Sequence, residues 1–396
     1  MTLFKQIAAV TLMNFKSLPH RVGTSVVIVI GIAGVVAVLV SVLAMSTGML
    51  ETMEHSGRDD RAIVLRNGSA SEVGSALGRD AARLVMDAPG IKRDSKGDPI
   101  ASAEDLRLVN LFRKEDGAEV NVAIRGVGPQ VHELRPELKI VAGRMFRPAV
   151  TEIIVGKAAN AEFKGLNIGD QIKTRGATWT VVGVFTTDGD SHESGLMTDA
   201  ETLIAAEQRG SFQSVTVMLE SPAAFQKFKD ALSANPALAV DVSREREYYR
   251  RQSETIGKVI YVIAYVVGGI MAIGAIFSAL NTMYSAVSAR LREIATLRAI
   301  GFGATAMVMS VLAEALLLAF IGGAIGAAIA WLFFNGHQVS TSGGGAAVGH
   351  LIFELSVSPA LIATGIIWAC TIGLIGGVFP AVRAARLPVA TALRAI

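Results

Sequence analysis

Residues 290–301 read Arg-Leu-Arg-Glu-Ile-Ala-Thr-Leu-Arg-Ala-Ile-Gly, and an apolar segment long enough to cross a bilayer lies on each side of them. The stretch favours a helix, because Leu, Arg, Glu and Ala have high helix propensity. A short charged helix between two spans lies on the side of the membrane where basic loops accumulate. The sequence therefore predicts a multi-pass membrane protein that presents a helix to a partner in the cytoplasm.

The composition agrees with this prediction. The chain is 51% hydrophobic and only 18% charged, whereas about a quarter of the residues of a soluble domain are charged. The apolar excess is clustered in stretches of about 20 residues or more, the length that a transmembrane helix needs. These predict four spans, at residues 22–45, 256–284, 306–334 and 360–382.

The basic residues of the short loops set the orientation. Residues 1–21, 285–305 and 383–396 carry an excess of Lys and Arg, whereas the predicted outer loop, residues 335–359, has neither. By the positive-inside rule both termini are cytoplasmic. Residues 1–21 are predicted as an amphipathic helix, and two positions are open for it: along the inner membrane face, or as a cap on the helix bundle.

The long segment between the first two spans, residues 46–255, is then extracytoplasmic and mixes strand and helix patterns. Residues 62–65 predict a strand, residues 72–87 a helix, and residues 106–127 a hairpin. A β-rich insert from about residue 102 to residue 185 is expected inside a discontinuous subdomain. The predicted fold class is thus membrane α-helical, with four transmembrane helices and a large extracytoplasmic α+β domain between the first and second.

Residues 243–255 contain no Pro and lead directly into the second span. They predict one continuous helix of about forty residues, with Ser243 as its N-cap. Such a helix would form a stalk between the bilayer and the external domain. The alternative is merely a solvated, charged helix end.

Two segments resemble signatures of a known family: residues 287–301, Val-Ser-Ala-Arg-Leu-Arg-Glu-Ile-Ala-Thr-Leu-Arg-Ala-Ile-Gly, and residues 380–394, which begin Pro-Ala-Val-Arg. Together with the four spans and the large external domain, they resemble the FtsX/MacB-type permeases of ABC transporters. Residues 180–185, Thr-Val-Val-Gly-Val-Phe, are similar to the MacB-type periplasmic core. One departure is Ala295, where the family commonly has Gly.

The resemblance implies a helix that docks on a separate cytoplasmic ATPase. Ile294, Leu297 and Ile300 recur at helical spacing and predict an apolar docking edge. The charged residues around this edge are predicted to take part in docking; they are Arg290, Arg292, Glu293 and Arg298. The alternative from the residues alone is an amphipathic helix on lipid headgroups.

Glu314 lies about 12 Å into the third predicted span by helical rise. An ionisable group at this depth is a candidate functional residue. We expect it to brace the predicted coupling helix, against Arg298 or Arg290, in preference to contacting substrate.

No catalytic or cofactor site is predicted on this chain. Neither Gly156-Lys157 nor Gly257-Lys258 is part of a phosphate-binding loop, so ATP and Mg²⁺ are expected on the partner ATPase. Two loops contain histidines together with acidic residues, but their spacing is not that of a metal site, and these residues are expected to be solvated. They are His337, His350 and Glu354 in one loop, and Asp188, Asp190, His192 and Glu193 in the other. The net charge of +3 reflects membrane topology and does not indicate nucleic-acid binding.

The predicted function is that of a permease subunit in the inner membrane. The partners implied are an ATPase, a second copy forming a homodimer, membrane lipid, and a periplasmic adaptor with an outer-membrane channel. The expected cargo is an amphiphile: a lipid, lipoprotein, peptide or small molecule. Two alternatives are an FtsX-like signalling scaffold that activates a cell-wall hydrolase and a membrane-anchored enzyme, which the missing catalytic residues disfavour.

Overall fold

The computed structural model of the chain describes residues 3–17, 22–174, 176–342 and 350–386. The chain divides into two compact units. A membrane unit comprises Met1–Thr47, Gly257–His337 and Leu355–Ile396, and an α+β domain comprises Gly48–Ile256 and Gln338–Glu354. Pro19, a residue type expected to end or kink a helix, and residues 387–396 of the predicted tail lie outside the described residues.

The helices have these bounds in chain order: α1 (Leu3–Ser17), α2 (Val22–His55), α3 (Arg79–Met86), α4 (Val131–Leu134), α5 (Lys157–Glu162), α6 (Ala200–Ala206), α7 (Phe225–Ser233), α8 (Glu245–Ala289), α9 (Leu291–Ala299), α10 (Ala304–Phe334) and α11 (Pro359–Arg386). Among the described residues, four are long and apolar enough to cross a membrane: α2, α8, α10 and α11. The predicted four-span fold class is confirmed.

The membrane unit is packed through small residues. A Cβ added at Gly326 of α10 would lie 2.4 Å from the carbonyl oxygen of Ala33 in α2, and one at Gly373 of α11 would lie 2.4 Å from the Cβ of Ala319 in α10. Glycine at these positions lets the helix backbones approach closely. By contrast, a Cβ at Gly31 or Gly34 would meet nothing within 4 Å, so these glycines of α2 do not serve contacts within the described part of this chain.

The strands have these bounds: β1 (Arg61–Arg66), β2 (Leu77–Gly78), β3 (Ala101–Phe112), β4 (Glu119–Val127), β5 (Lys139–Gly143), β6 (Glu152–Gly156), β7 (Gln171–Lys173), β8 (Thr178–Thr186), β9 (Leu196–Asp199), β10 (Ser211–Phe212), β11 (Ser214–Met218), β12 (Val240–Arg244), β13 (Gln338–Ser342) and β14 (His350–Glu354). Short 3₁₀ turns occupy Glu72–Gly74, Ser191–Ser194 and Pro222–Ala224.

Most strands of the described α+β domain form one mixed sheet in the order β12-β1-β11-β3-β4-β9-β6-β8-β5, with β7 also paired to β8. The long strand β3 joins its two parts: Ala101–Glu104 pair with β11, and Asp105–Phe112 pair with β4. The first part packs around Val64, Val215 and Phe228, and the second around Phe163 and Trp179. These two hydrophobic cores of the domain lie along one sheet.

Several local predictions differ from the structure. The helix expected at residues 72–87 is a 3₁₀ turn, the short strand β2 and the eight-residue α3, because Gly74 and Gly78 interrupt the helical pattern. The β-rich insert extends beyond residue 185 to include β9, which pairs with β4 and β6. Ser243 is not an N-cap: it lies in β12, and α8 begins at Glu245 and runs for 45 residues.

The predicted outer loop, residues 335–359, also contains regular structure. Its two strands, β13 and β14, form an antiparallel ladder from Gln338↔Glu354 to Ser342↔His350. His350 is only 2% exposed, so the prediction that it is a solvated loop residue is wrong, whereas His337 and Glu354 are exposed. The hairpin belongs to the α+β domain, because Ile352 is part of that domain's second core.

Candidate functional site

The predicted coupling helix is α9, which is separated from its neighbours by sharp turns at both ends. Arg290 breaks the helical path after α8, with φ −104° and ψ 10°. At the other end Gly301 has φ +102°, a conformation that favours glycine. The amide of Phe302 donates to the carbonyl of Leu297, and that of Gly301 to the carbonyl of Arg298, both at 3.1 Å. This is a Schellman motif, which fixes where the helix ends.

Arg290 and Glu314 meet beneath the start of α9. Arg290 Nη1 donates to Glu314 Oε2 at 3.0 Å, and each side chain is 6% exposed. The ion pair therefore joins the first residue of the turn to the middle of α10. The structure brings Glu314 to Arg290, one of the two partners expected for it. Arg298 instead donates to the carbonyl of Ala385 near the end of α11, at 2.8 Å.

Helix α1 packs on this region. Val10 lies in the same core as Ile294, Met307 and Val311. Asn14 Nδ2 donates to Ser310 Oγ at 2.5 Å, and the Gln6 side chain accepts from the amide of Gly303. The described residues of α1 therefore pack against the helices of the membrane unit. Phe4 and Leu12 remain exposed, at 84% and 58%, on the opposite face of α1.

The exposed surface of α9 differs from the predicted docking edge. Ile294 is 8% exposed and Leu297 packs against the same core, because residues three apart on a helix share a face and this face meets the bundle. Ile300 is 69% exposed; it lies six residues from Ile294, about 240° further around the helix. We call the exposed residues of this segment the coupling face; they are Arg292, Glu293, Thr296, Ala299 and Ile300.

A second concentration of charge lies inside the α+β domain, where α8 begins. Glu245, in the first turn of α8, forms ion pairs with Arg61 Nε at 3.1 Å and with Arg135 Nη1 at 2.9 Å. Arg125 pairs with Glu72 at 2.7 Å and with Glu104 at 2.5 Å. All six side chains are buried. We call these residues the arginine–glutamate network: Arg61, Glu72, Glu104, Arg125, Arg135 and Glu245.

The network favours the charged state of Glu72 and of Arg125. Burial alone would raise the pKa of Glu72, but the adjacent Arg125 guanidinium more than offsets this and holds the pKa below its usual value. Burial would lower the pKa of Arg125, and the carboxylates of Glu72 and Glu104 raise it well above its usual value. Sequence reasoning did not identify this network, because its members are spread from residue 61 to residue 245.

Tyr248 and Tyr249 extend the contact of α8 with the domain. Tyr248 Oη accepts from the amide of Glu72 at 3.1 Å. Tyr249 Oη lies 3.3 Å from His192 Nε2, and His192 Nδ1 lies 2.9 Å from Asp190 Oδ2. Asp190, His192 and Glu193 are buried, contrary to the prediction that this acidic turn is solvated, whereas Asp188 is exposed. In the described ranges no group of three or more His, Cys, Asp or Glu residues is placed to hold a metal ion.

Comparison with known proteins places these features in a family. The family model of the MacB-like periplasmic core domain matches residues 22–235, and that of the FtsX-like permease C-terminal domain matches residues 265–389. The macrolide export ATP-binding/permease protein MacB of Bdellovibrio bacteriovorus is 24% identical over 417 residues, which cover 96% of this chain and 61% of the relative. An uncharacterized ABC transporter permease of Methanocaldococcus jannaschii is 26% identical over 241 residues, 59% of each chain.

The chain thus spans about three fifths of the length of these two relatives. Among solved structures, the periplasmic region of MacB from Actinobacillus actinomycetemcomitans aligns with 54% of this chain and 97% of its own, with 16% identity and a TM-score of 0.37. The periplasmic-core family model matches more than half of the chain, and the FtsX-like model covers most of the residues after it. The chain therefore belongs to the FtsX/MacB-type family of ABC transporter permeases.

Proposed function

We propose that this chain is the permease subunit that passes the movement of a separate cytoplasmic ATPase to the α+β domain, and so drives export or extraction of an amphiphilic substrate. A lipid, lipoprotein, peptide or small molecule fits this class. The name of the Bdellovibrio relative, which includes macrolide export, is in line with it. ATP and Mg²⁺ would bind to the ATPase.

The observation that carries this proposal is the fixed presentation of the coupling face. A docking helix transmits force only if it cannot swing freely on its attachments. Helix α9 is held by the Arg290–Glu314 ion pair before its first residue and by the Schellman motif after its last. Its inner face packs into the core of the membrane unit, so a push on the outer face is passed to α8 and α10.

Helix α8 offers a path from there to the α+β domain. It is a single helix of 45 residues, about 68 Å long at 1.5 Å per residue. Its first turn is anchored by Glu245 in the arginine–glutamate network. Because a continuous helix passes on displacement better than a flexible linker, movement at Ala289 would reach the domain through Glu245.

The same proposal includes a second permease copy, since a transporter with two ATPases needs two docking helices. A periplasmic adaptor and an outer-membrane channel would complete an exporter in a two-membrane envelope. The exposed apolar side chains of α8, among them Ile270 and Phe277 at 67% each, would face lipid or the second copy.

The docking step is tested by Ile300→Asp in the full-length chain, with recovery of the ATPase measured by affinity co-purification and mass identification. Ile300 is the large exposed apolar side chain of the coupling face, and an aspartate in its place would have to be desolvated on docking, so we expect at least about a tenfold loss of ATPase. The matched control is Val141→Asp, at a residue of the α+β domain that is 54% exposed. Equal recovery of the ATPase with both variants would contradict the docking assignment.

The orientation is tested separately by thiol labelling. Cys370 is the only native cysteine, so a Cys370→Ser background can carry either Thr296→Cys in α9 or Val141→Cys in the domain. A membrane-impermeant maleimide applied to the outer face of the inner membrane should label position 141 and not position 296. Labelling of position 296 under these conditions would place α9 outside the cell and overturn the proposal.

A further inference from the structure

The β13–β14 hairpin is attached to the α+β domain by both apolar and polar contacts. Ile352 is 7% exposed and lies in the core that contains Phe163 and Trp179. The Ser194 hydroxyl accepts from the Ile352 amide at 2.9 Å and donates to the Ile352 carbonyl at 3.2 Å. His350 Nε2 lies 3.0 Å from Glu162 Oε1. The hairpin is therefore an integral part of the domain.

The residues directly before and after the hairpin are hydrogen bonded to each other. The amide of Leu355 donates to the carbonyl of His337 at 2.9 Å, and that of Gly336 donates to the carbonyl of Leu355 at 3.0 Å. The amide of Val357 donates to Asn335 Oδ1 at 3.0 Å. The chain segments that lead into and out of the hairpin are thus joined to each other by hydrogen bonds.

The turn at residues 191–194, which contacts the hairpin, also contacts the other two chain segments that enter the domain. The amide of Ser191 donates to Ser56 Oγ, directly after α2, at 2.8 Å. His192 lies against Tyr249 of α8, and Ser194 binds Ile352. This short turn therefore contacts three chain segments: the one directly after α2, the start of α8, and the hairpin between α10 and α11.

This turn is held firmly by the domain itself. The amide of Gly156 donates to the carbonyl of Gly195 at 2.9 Å. A Cβ added at Gly156 would lie 2.1 Å from the carbonyl oxygen of Glu193, so only glycine allows the two backbones to approach this closely. Asp190 caps the turn by accepting from the His192 amide at 2.8 Å. A displacement delivered to the turn would move β6 and β9 with it.

Resting on the permease function proposed above, we propose that the turn at residues 191–194 is a junction that gathers the movements of α2, α8 and the β13–β14 hairpin, with the hairpin providing a second transmission path beside α8. Glu314 of α10 contacts Arg290 at the start of α9, so a push on α9 reaches α10 as well as α8. Ser194 is then a positioning residue, since it acts through Ile352.

The test uses the full-length chain bound to its ATPase and compares hydrogen exchange with ADP and with Mg-ATP plus vanadate. In the wild type, vanadate trapping should change exchange in α9, in the hairpin and at residues 190–199. Ser194→Ala should leave the first two changes intact and reduce the third at least about twofold, because local opening reports the loss of a contact. Glu354→Gln, an exposed hairpin residue, is the matched control and should keep all three.

Ile352→Ala provides a stronger break of the same contact, and the fluorescence of Trp179 in a Trp331→Phe, Trp368→Phe background shows whether the domain is still folded. If that variant unfolds, Ser194→Ala alone decides. A vanadate-dependent change at residues 190–199 that is the same in Ser194→Ala and wild type would overturn the junction. If α9 shows no nucleotide-dependent change in any variant, the proposed docking function fails instead.

Discussion

The membrane unit and the α+β domain both bury charge at points where helices must be held, but in different ways. In the membrane unit, Arg290 and Glu314 form an ion pair beside the apolar core. In the domain, Glu245 binds both Arg61 and Arg135, and Arg125 binds both Glu72 and Glu104. Each of these latter charges is thus shared among several elements of the fold.

The difference has an energetic consequence. Removing one partner of a buried ion pair leaves an uncompensated charge, whereas replacing the whole pair by apolar groups is often nearly neutral. Replacement of both partners is a simple change for Arg290 and Glu314. In the arginine–glutamate network, Arg135 Nη2 also lies 3.8 Å from Glu104 Oε1 and so joins the two groups of charges. Replacing any two of its residues affects a third, so the network ties β1, β3, β4 and α8 together.

The largest expected effect is that of Glu245→Gln, which leaves Arg61 and Arg135, both 1% exposed, without the carboxylate between them. We expect the free energy of unfolding of the domain to fall by about 3–5 kcal/mol. Trp179 is buried in the domain, so denaturant unfolding followed by fluorescence in a Trp331→Phe, Trp368→Phe background measures it.

The control for this change is Glu247→Gln, two residues further along α8. Glu247 is 46% exposed and lies 3.7 Å from Arg251 at i,i+4 spacing. An exposed pair of this kind contributes less than about 1 kcal/mol. If both variants lower stability equally, the buried network is not what secures the start of α8.

A smaller effect is expected at the Arg290–Glu314 ion pair. Glu314→Gln should destabilise the membrane unit by about 3 kcal/mol, and the double variant Arg290→Met, Glu314→Leu should recover most of this loss. Thermal unfolding of the purified full-length chain measures both. If the double variant loses as much stability as the two single variants added together, each charge stabilises the unit through other groups as well. The contrast with the network would then disappear.

The smallest expected effect concerns Asp105, which follows Glu104 on β3 and pairs with Arg107 at 2.5 Å. Burial raises the pKa of Asp105 to about 6, and Arg107 offsets this only in part. The folded state therefore binds this proton more tightly than the unfolded state, so its contribution to stability decreases as pH rises from about 4 to about 6.

Asp105→Asn removes this dependence. We expect the stability of the variant relative to wild type to increase by about 1 kcal/mol between about pH 5 and about pH 7, measured by the same Trp179 fluorescence. If the stability difference between variant and wild type is constant across this pH range, Arg107 fully offsets the effect of burial on the pKa of Asp105, as the partners of Glu72 do in the network.

Local patterns predicted the elements whose formation depends on nearby residues. The four spans follow from the length of the apolar segments. The β3–β4 hairpin follows from apolar and polar residues that alternate on both sides of a turn at residues 114–117. For Ile294 the docking edge stays a prediction: this residue is buried in its own unit, and an apolar edge on a short helix can face either a partner or its own bundle. Which of the two it faces depends on α1 and α10, which come from distant parts of the chain.

The sequence by itself determined that this chain crosses a membrane through four helices, has an α+β domain between the first and second, and carries a charged helix between the second and third. These properties depend on hydrophobic length and helix propensity, which act over a few turns. Only the tertiary structure decided that Glu314 meets Arg290, that Glu245 lies between Arg61 and Arg135, and that Ile352 packs in the domain. Such contacts join residues far apart in sequence, and packing against the whole fold selects them.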